Sequence, residues 1–180
     1  MPYSLLLALA VQTGAAAAAT PPLPPAPCAS AVYREFEFWV GDWDVYPNIA
    51  DPAKAPLIAH SKIEKLYGGC AIRENWLPIK GTGGGSLNAP DPVTGRWHQY
   101  WLDGSGGRVE FDGGVTSTGA MVLTGFWRGV NGPGKDGVIR MTYTPQGDGS
   151  VRQHGEVSVD HGLSWSTSFD FVYRRAKPAG

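Results

Sequence analysis

Between its turns this chain alternates in polarity with a period of two, and that alternation restricts it to β structure. Gly at 25 positions and Pro at 15 interrupt the sequence at intervals of roughly ten residues, as in an all-β meander. Trp165, Thr167, Phe169, Phe171 and Tyr173 fall on one face of a segment whose other face carries Ser166, Ser168, Asp170 and Arg174, with Val172 the exception. Ile139, Met141 and Tyr143 likewise oppose Arg140, Thr142 and Thr144. Val151, Val157 and Val159 oppose Arg152, His154, Glu156 and Ser158. Such a strand buries one face and wets the other. Asp103-Gly104-Ser105-Gly106-Gly107, Asp112-Gly113-Gly114, Gly147-Asp148-Gly149-Ser150 and Asp160-His161-Gly162 supply turn chemistry between the runs.

Ten strands are predicted, at 42–47, 57–67, 70–78, 84–90, 96–103, 108–113, 119–128, 136–145, 151–160 and 164–175, and no helix longer than a turn. A sheet of that many one-sided strands must either close on itself or split into two packed sheets. The expected fold is therefore all-β, an antiparallel up-and-down β-barrel of about ten strands. An immunoglobulin-type sandwich fits less well, because the two cysteines do not bracket a core Trp across two sheets.

The N-terminus sets the compartment. Leu5 to Val11 is an apolar run too short to span a bilayer, and Ala17-Ala18-Ala19 follows as a small-x-small pattern, so residues 1–19 read as a cleaved signal peptide. The alternative is an Ala-rich arm, since no Lys or Arg precedes the run. Residues 20–30 read as a Pro-rich linker, 31–176 as a single β-barrel domain and 177–180 as a tail. Periplasmic or secreted localisation follows from the leader. Cys28 and Cys70 are the two cysteines, and export makes a disulfide between them the preferred reading over two buried thiols. No later segment has the roughly 18 continuous apolar residues of a membrane helix, so membrane insertion is not expected. A net charge of -1 without any Lys/Arg run argues against nucleic acid as a partner. Oligomeric state is not legible.

Phe36-Glu37-Phe38-Trp39-Val40-Gly41-Asp42-Trp43 resembles the opening of the calycin barrels, lipocalin-like and nitrobindin-like, in which a one-turn helix plugs one end and a Gly-x-Trp begins the first strand. More of the chain is similar to a group of exported bacterial proteins of unknown function with a Phe-Asp-Phe-Trp-x-Gly-x-Trp opening. The matching pieces are residues 68–76, 85–88, 95–101 and 169–175. The resemblance implies a calycin-like barrel and a basic residue of the last strand stacked over the first-strand Trp. By strand parity Arg175 is that residue and Trp43 its partner, both structural.

Polar residues alternating with large aromatics are the candidates for function, because a buried polar group is costly unless paired or met by a ligand. Glu74 alternates with Ile72 and Trp76, Gln99 lies between Trp97 and Trp101, and Asn88 shares a face with Ser86. Pointing inward, Glu74, Trp76, Asn88, Trp97, Gln99 and Trp101 would make an apolar pocket with a few convergent hydrogen-bonding groups. A self-satisfied polar network inside a filled barrel is the other reading. The expected function is binding of a small apolar or aromatic molecule. Catalysis is the less favoured alternative, an isomerase or cyclase using Glu74 as acid/base.

Other chemistries find little support. His60, His98, His154 and His161 show no ligand pairing, so no metal is expected, and no cofactor either. Haem is a variant that the nitrobindin resemblance raises, without a matching His motif. Asp103-Gly104-Ser105-Gly106-Gly107 is similar to a trypsin-type Ser motif with its first two residues transposed, and a hairpin loop explains it. Gly81-Thr82-Gly83-Gly84-Gly85-Ser86 lacks the Lys of a phosphate loop.

Overall fold

The computed structural model describes residues 28–177. The expected signal peptide, residues 20–27 of the linker and residues 178–180 of the tail lie outside the described residues.

Ten antiparallel strands form one closed barrel: β1 Gly41–Pro47, β2 Ala59–Leu66, β3 Ala71–Pro78, β4 Gly84–Pro90, β5 Trp97–Asp103, β6 Arg108–Val115, β7 Met121–Trp127, β8 Gly137–Pro145, β9 Val151–Ser158 and β10 Ser166–Arg175. Each strand pairs with its sequence neighbours, and β1 pairs with β10 to close the ring, Trp43 facing Arg175 and Val45 facing Tyr173. Closure removes every free strand edge. Among the described residues the helical content is four 3-10 turns, at Ala31–Arg34, Glu37–Trp39, Pro52–Lys54 and Tyr67–Gly69. No helix among the described residues is long and apolar enough to cross a membrane.

The two N-terminal turns plug one end. Phe36 and Trp39 are fully buried, their rings stack 4.8 Å apart, and Phe36 meets Trp97 and Tyr143 edge-on at 5.7 and 5.0 Å. Trp43 Nε1 donates to the Trp39 carbonyl at 2.8 Å, tying the plug to the first strand. A disulfide joins Cys28 to Cys70 in the turn between β2 and β3, so the chain entering the plug is held to the same barrel end.

The Arg175 guanidinium lies 3.8 Å over the Trp43 ring and donates to the Val40 carbonyl at 2.7 Å. Gly41 makes room for it. A Cβ there would sit 1.8 Å from Arg175 Nη1, and its φ of 141° is one that L side chains rarely adopt. Arg175→Ala should lower the unfolding free energy by about 1.5 kcal/mol, read as a shift in urea midpoint, with Arg175→Lys restoring only part of it.

Observed strand limits fall close to those expected, with two corrections to the faces. Register shifts between Thr167 and Phe169, a β-bulge that turns the first part of β10 over. Trp165 and Thr167 therefore do not share the inner face of Phe169, Phe171 and Tyr173. Trp165 lies outside under the Arg140 guanidinium at 4.1 Å, and Thr167 bonds His154 Nε2 at 3.1 Å. Val159, expected to continue the valine face of β9, lies past the end of that strand and is exposed. The inner position opposite Phe169 belongs to Gly155, where a Cβ would come within 2.4 Å of the ring. Glycine there lets the aromatic lie flat against the β9 backbone.

Candidate functional site

Strand direction orders the interior by depth. β1, β3, β5, β7 and β9 start at the plugged end, and the other five end there. Trp43, Trp97, Met121 and Val151 consequently fill the closed half of the core. Trp76, Trp101, Trp127, Phe169 and Phe171 occupy inward positions toward the far ends of their strands and are only half-buried. They surround the mouth of a cavity of about 270 Å³, near the lower end of the usual small-molecule range of roughly 300–1,000 Å³. Phe171 stacks on Trp76 at 5.9 Å and on Phe169 at 4.7 Å, giving one wall a continuous aromatic surface. Glu74, Gln99, Phe111, Met141, Tyr143, Gln153 and Tyr173 line the deeper part.

A belt of hydrogen bonds runs round the barrel at that depth. Tyr173 donates to Gln153 Oε1 at 2.6 Å, and Gln153 Nε2 donates to the Tyr143 hydroxyl at 3.1 Å. Gln99 Nε2 reaches the same hydroxyl at 3.5 Å and Asn88 Oδ1 at 2.6 Å. Asn88 Nδ2 donates to Ser86 Oγ at 3.0 Å and to the Ile72 carbonyl at 3.1 Å. Ser86 and Ser61 in turn donate to Glu74, at 3.0 and 3.5 Å. Neutral amides and hydroxyls thus largely satisfy one another, and the belt ends on a carboxyl.

Glu74 is the electrostatic singularity of the interior. It is 4% exposed, and burial pushes its carboxyl up to about 7 against the opposing pull of the Ser86 and Ser61 hydroxyls. Lys, Arg and His are absent from the described cavity lining. Burial, together with repulsion from an ionised Glu74, also pushes the Tyr143 and Tyr173 hydroxyls up, so both stay neutral proton carriers at ordinary pH.

Of the residues singled out in the sequence, Glu74, Trp76, Gln99 and Trp101 line the cavity. Asn88 is fully buried behind it, bridging Gln99 to Ser86. Trp97 lies at the plug, with Nε1 donating to Glu35 Oε2 at 3.0 Å. Alternation alone gives Tyr143 and Tyr173 as members of apolar faces and assigns no interior role to Ser61 or Gln153. Gln153 shares parity with Val151 and Val157, a signal that would have placed it inside.

Haem does not fit the residues present. His60, His98 and His154 stand on outward strand positions beside Asp44, Asp112 and Thr167, and His161 is in the exposed turn after β9. An imidazole ligand inside the barrel is therefore lacking among the described residues. Fold and site together define a closed antiparallel β-barrel, plugged at one end, with an aromatic-walled cavity built over a buried carboxyl. No protein-family model matches the chain, and no curated protein matches it significantly.

Proposed function

We propose that this protein is an exported binding barrel for a small apolar or aromatic molecule, within the calycin-like group that its opening motif resembles. The observation that carries the reading is the interior cavity itself. A barrel built only for stability would fill that space with side chains, whereas here half-buried aromatics surround an opening above a hydrogen-bonded floor. The disulfide and the leader-like N-terminus support an exported setting.

Tryptophan emission should shift on titration with an apolar or aromatic ligand, since Trp76, Trp101 and Trp127 all touch the cavity. Gln99→Ala should weaken the tightest binder about tenfold, because it removes a wall group and strands the Asn88 carbonyl. Silence across a broad apolar library would sink the proposal. Native mass spectrometry of protein taken from its own compartment would detect a retained guest directly.

Glu74 supports a second reading. A carboxyl near neutrality is poised to take and return a proton, which suits isomerisation or cyclisation of a bound guest. No second titratable group with a value near neutrality lines the described cavity, so binding ranks first. Turnover that survives Glu74→Gln would remove the catalytic version.

A further inference from the structure

Resting on the reading of the cavity as a binding site, we infer that its guest is a hydrophobic amine, whose ammonium group hydrogen-bonds the Glu74 carboxylate while its hydrocarbon or aromatic body lies against the aromatic walls.

Charge is the first argument. Glu74 is the one carboxyl among the described lining residues, and no cation lines the space with it. A carboxylate guest would set a second negative charge beside the first in a water-poor interior, where like charges repel strongly. A neutral apolar guest would leave Glu74 with the desolvation penalty it already carries. An ammonium group removes that penalty, because it supplies both the missing counter-charge and the missing donors.

Hydrogen-bonding capacity is the second. An ionised carboxylate offers about four acceptor sites. Ser86 takes one on Oε2 at 3.0 Å, and Ser61 makes a long contact to Oε1 at 3.5 Å, leaving both oxygens with room for an N–H donor. Elsewhere in the belt Gln153, Asn88 and Gln99 are engaged with protein partners. For scaffolding alone an amide at position 74 would accept from Ser86 as well as a carboxyl does.

The walls are the third. Trp76, Trp101, Trp127, Phe171 and Tyr173 all line the same space, and aromatic rings attract cations, most strongly where water is excluded.

The titratable groups facing Glu74 are Tyr143 from β8 and Tyr173 from β10, while β2 and β4 present only Ser61 and Ser86. Glu74 therefore controls any pH response of binding. Only its ionised form pairs with ammonium, so apparent affinity scales with the ionised fraction. With the carboxyl at about 7, that affinity should rise on the order of 100-fold from about pH 5 to about pH 8, releasing a proton on binding at the acid end.

The test uses the full chain and three probes of similar size: phenethylamine, phenethyl alcohol and hydrocinnamate, followed by tryptophan fluorescence and calorimetry. The amine should bind at least about tenfold tighter than the alcohol, with hydrocinnamate weakest. Glu74→Gln should remove that advantage, and its circular dichroism spectrum and urea unfolding curve, set beside those of the unaltered protein, show whether the variant is folded. The pH profile of the unaltered protein needs no variant and should be steep for the amine and flat for the alcohol. An alcohol that binds as tightly as the amine, a flat amine profile, or amine affinity surviving in Glu74→Gln overturns the inference while leaving a cavity that binds guests. No response to these probes or to the wider apolar library overturns both.

Discussion

Reduction of the Cys28–Cys70 bridge, or Cys70→Ser, is expected to lower the unfolding free energy by about 4 kcal/mol. The bridge closes a loop with a sequence separation of 42, and the chain-entropy account assigns most of the gain to the constraint on the unfolded chain. Its location adds a native-state component. The loop contains the whole plug and β1, so the bridged chain holds Phe36 and Trp39 near the barrel end they seal even when they detach. Urea unfolding with and without reductant checks this. Coincident curves would show that the plug stays seated on its aromatic contacts alone. A fall beyond the entropic figure would show that the plug detaches once the staple is gone.

The second large effect is a dependence of stability on pH that runs opposite to the usual carboxylate pattern. Glu74 sits at about 7 in the fold against its ordinary 4.5, so the folded state holds a proton that the unfolded state has already released. Its stabilising contribution is complete below about pH 4.5 and is lost as pH rises through about 7, a decline of about 3 kcal/mol in all. The carboxylates on the outer surface act the other way and at lower pH. Asp160, held at about 2 by Ser164 and Ser158, and Glu64, lowered by Arg73 and Lys62, lose their stabilising contribution as acid protonates them. Subtracting the Glu74→Gln curve from that of the unaltered protein isolates the interior group. The difference should favour the variant progressively from about pH 5 to about pH 8, and parallel curves would mean that water reaches Glu74 and holds it near its ordinary value.

Legibility in the sequence divides along physical lines. Alternation marks strands such as β5, β8 and β9 because large apolar residues recur on one parity with polar residues on the other, while β4, with Ser86 and Asn88 inside, is delimited by the flanking turns. Inward placement of Glu74 and Gln99 agrees with the parity of Ile72 and Trp76 and of Trp97 and Trp101, whereas Asn88 lies inside on the polar parity of β4 and Leu87 outside. Depth does not follow from parity. Trp97 and Trp101 share a face of β5, and only knowledge of which end the plug occupies sends one to the closed core and the other to the mouth. The bulge in β10 was invisible because Ser166, Thr167 and Ser168 are small and polar on both faces, so nothing apolar marks the change of register that puts Trp165 outside. Gln153 was hidden differently. Its apolar companions Val151 and Val157 lie at the ends of β9, with Gly155 between, and the polar residues around it read as solvent-facing.

The β1–β10 seam has a consequence for how the molecule assembles. Trp43 faces Arg175 across it, so the two strands that complete the ring come from opposite ends of the described chain. Nine of the ten strand pairings are local hairpins that can zip in order, but the last must await the final strand and the closure of nearly the whole chain. Until then the nascent sheet carries two raw edges. A chain of this design completes its fold only once β10 has been made, since no earlier strand can close the ring. The stacked Arg175 and Trp43 are the clasp that fastens the ring at that moment.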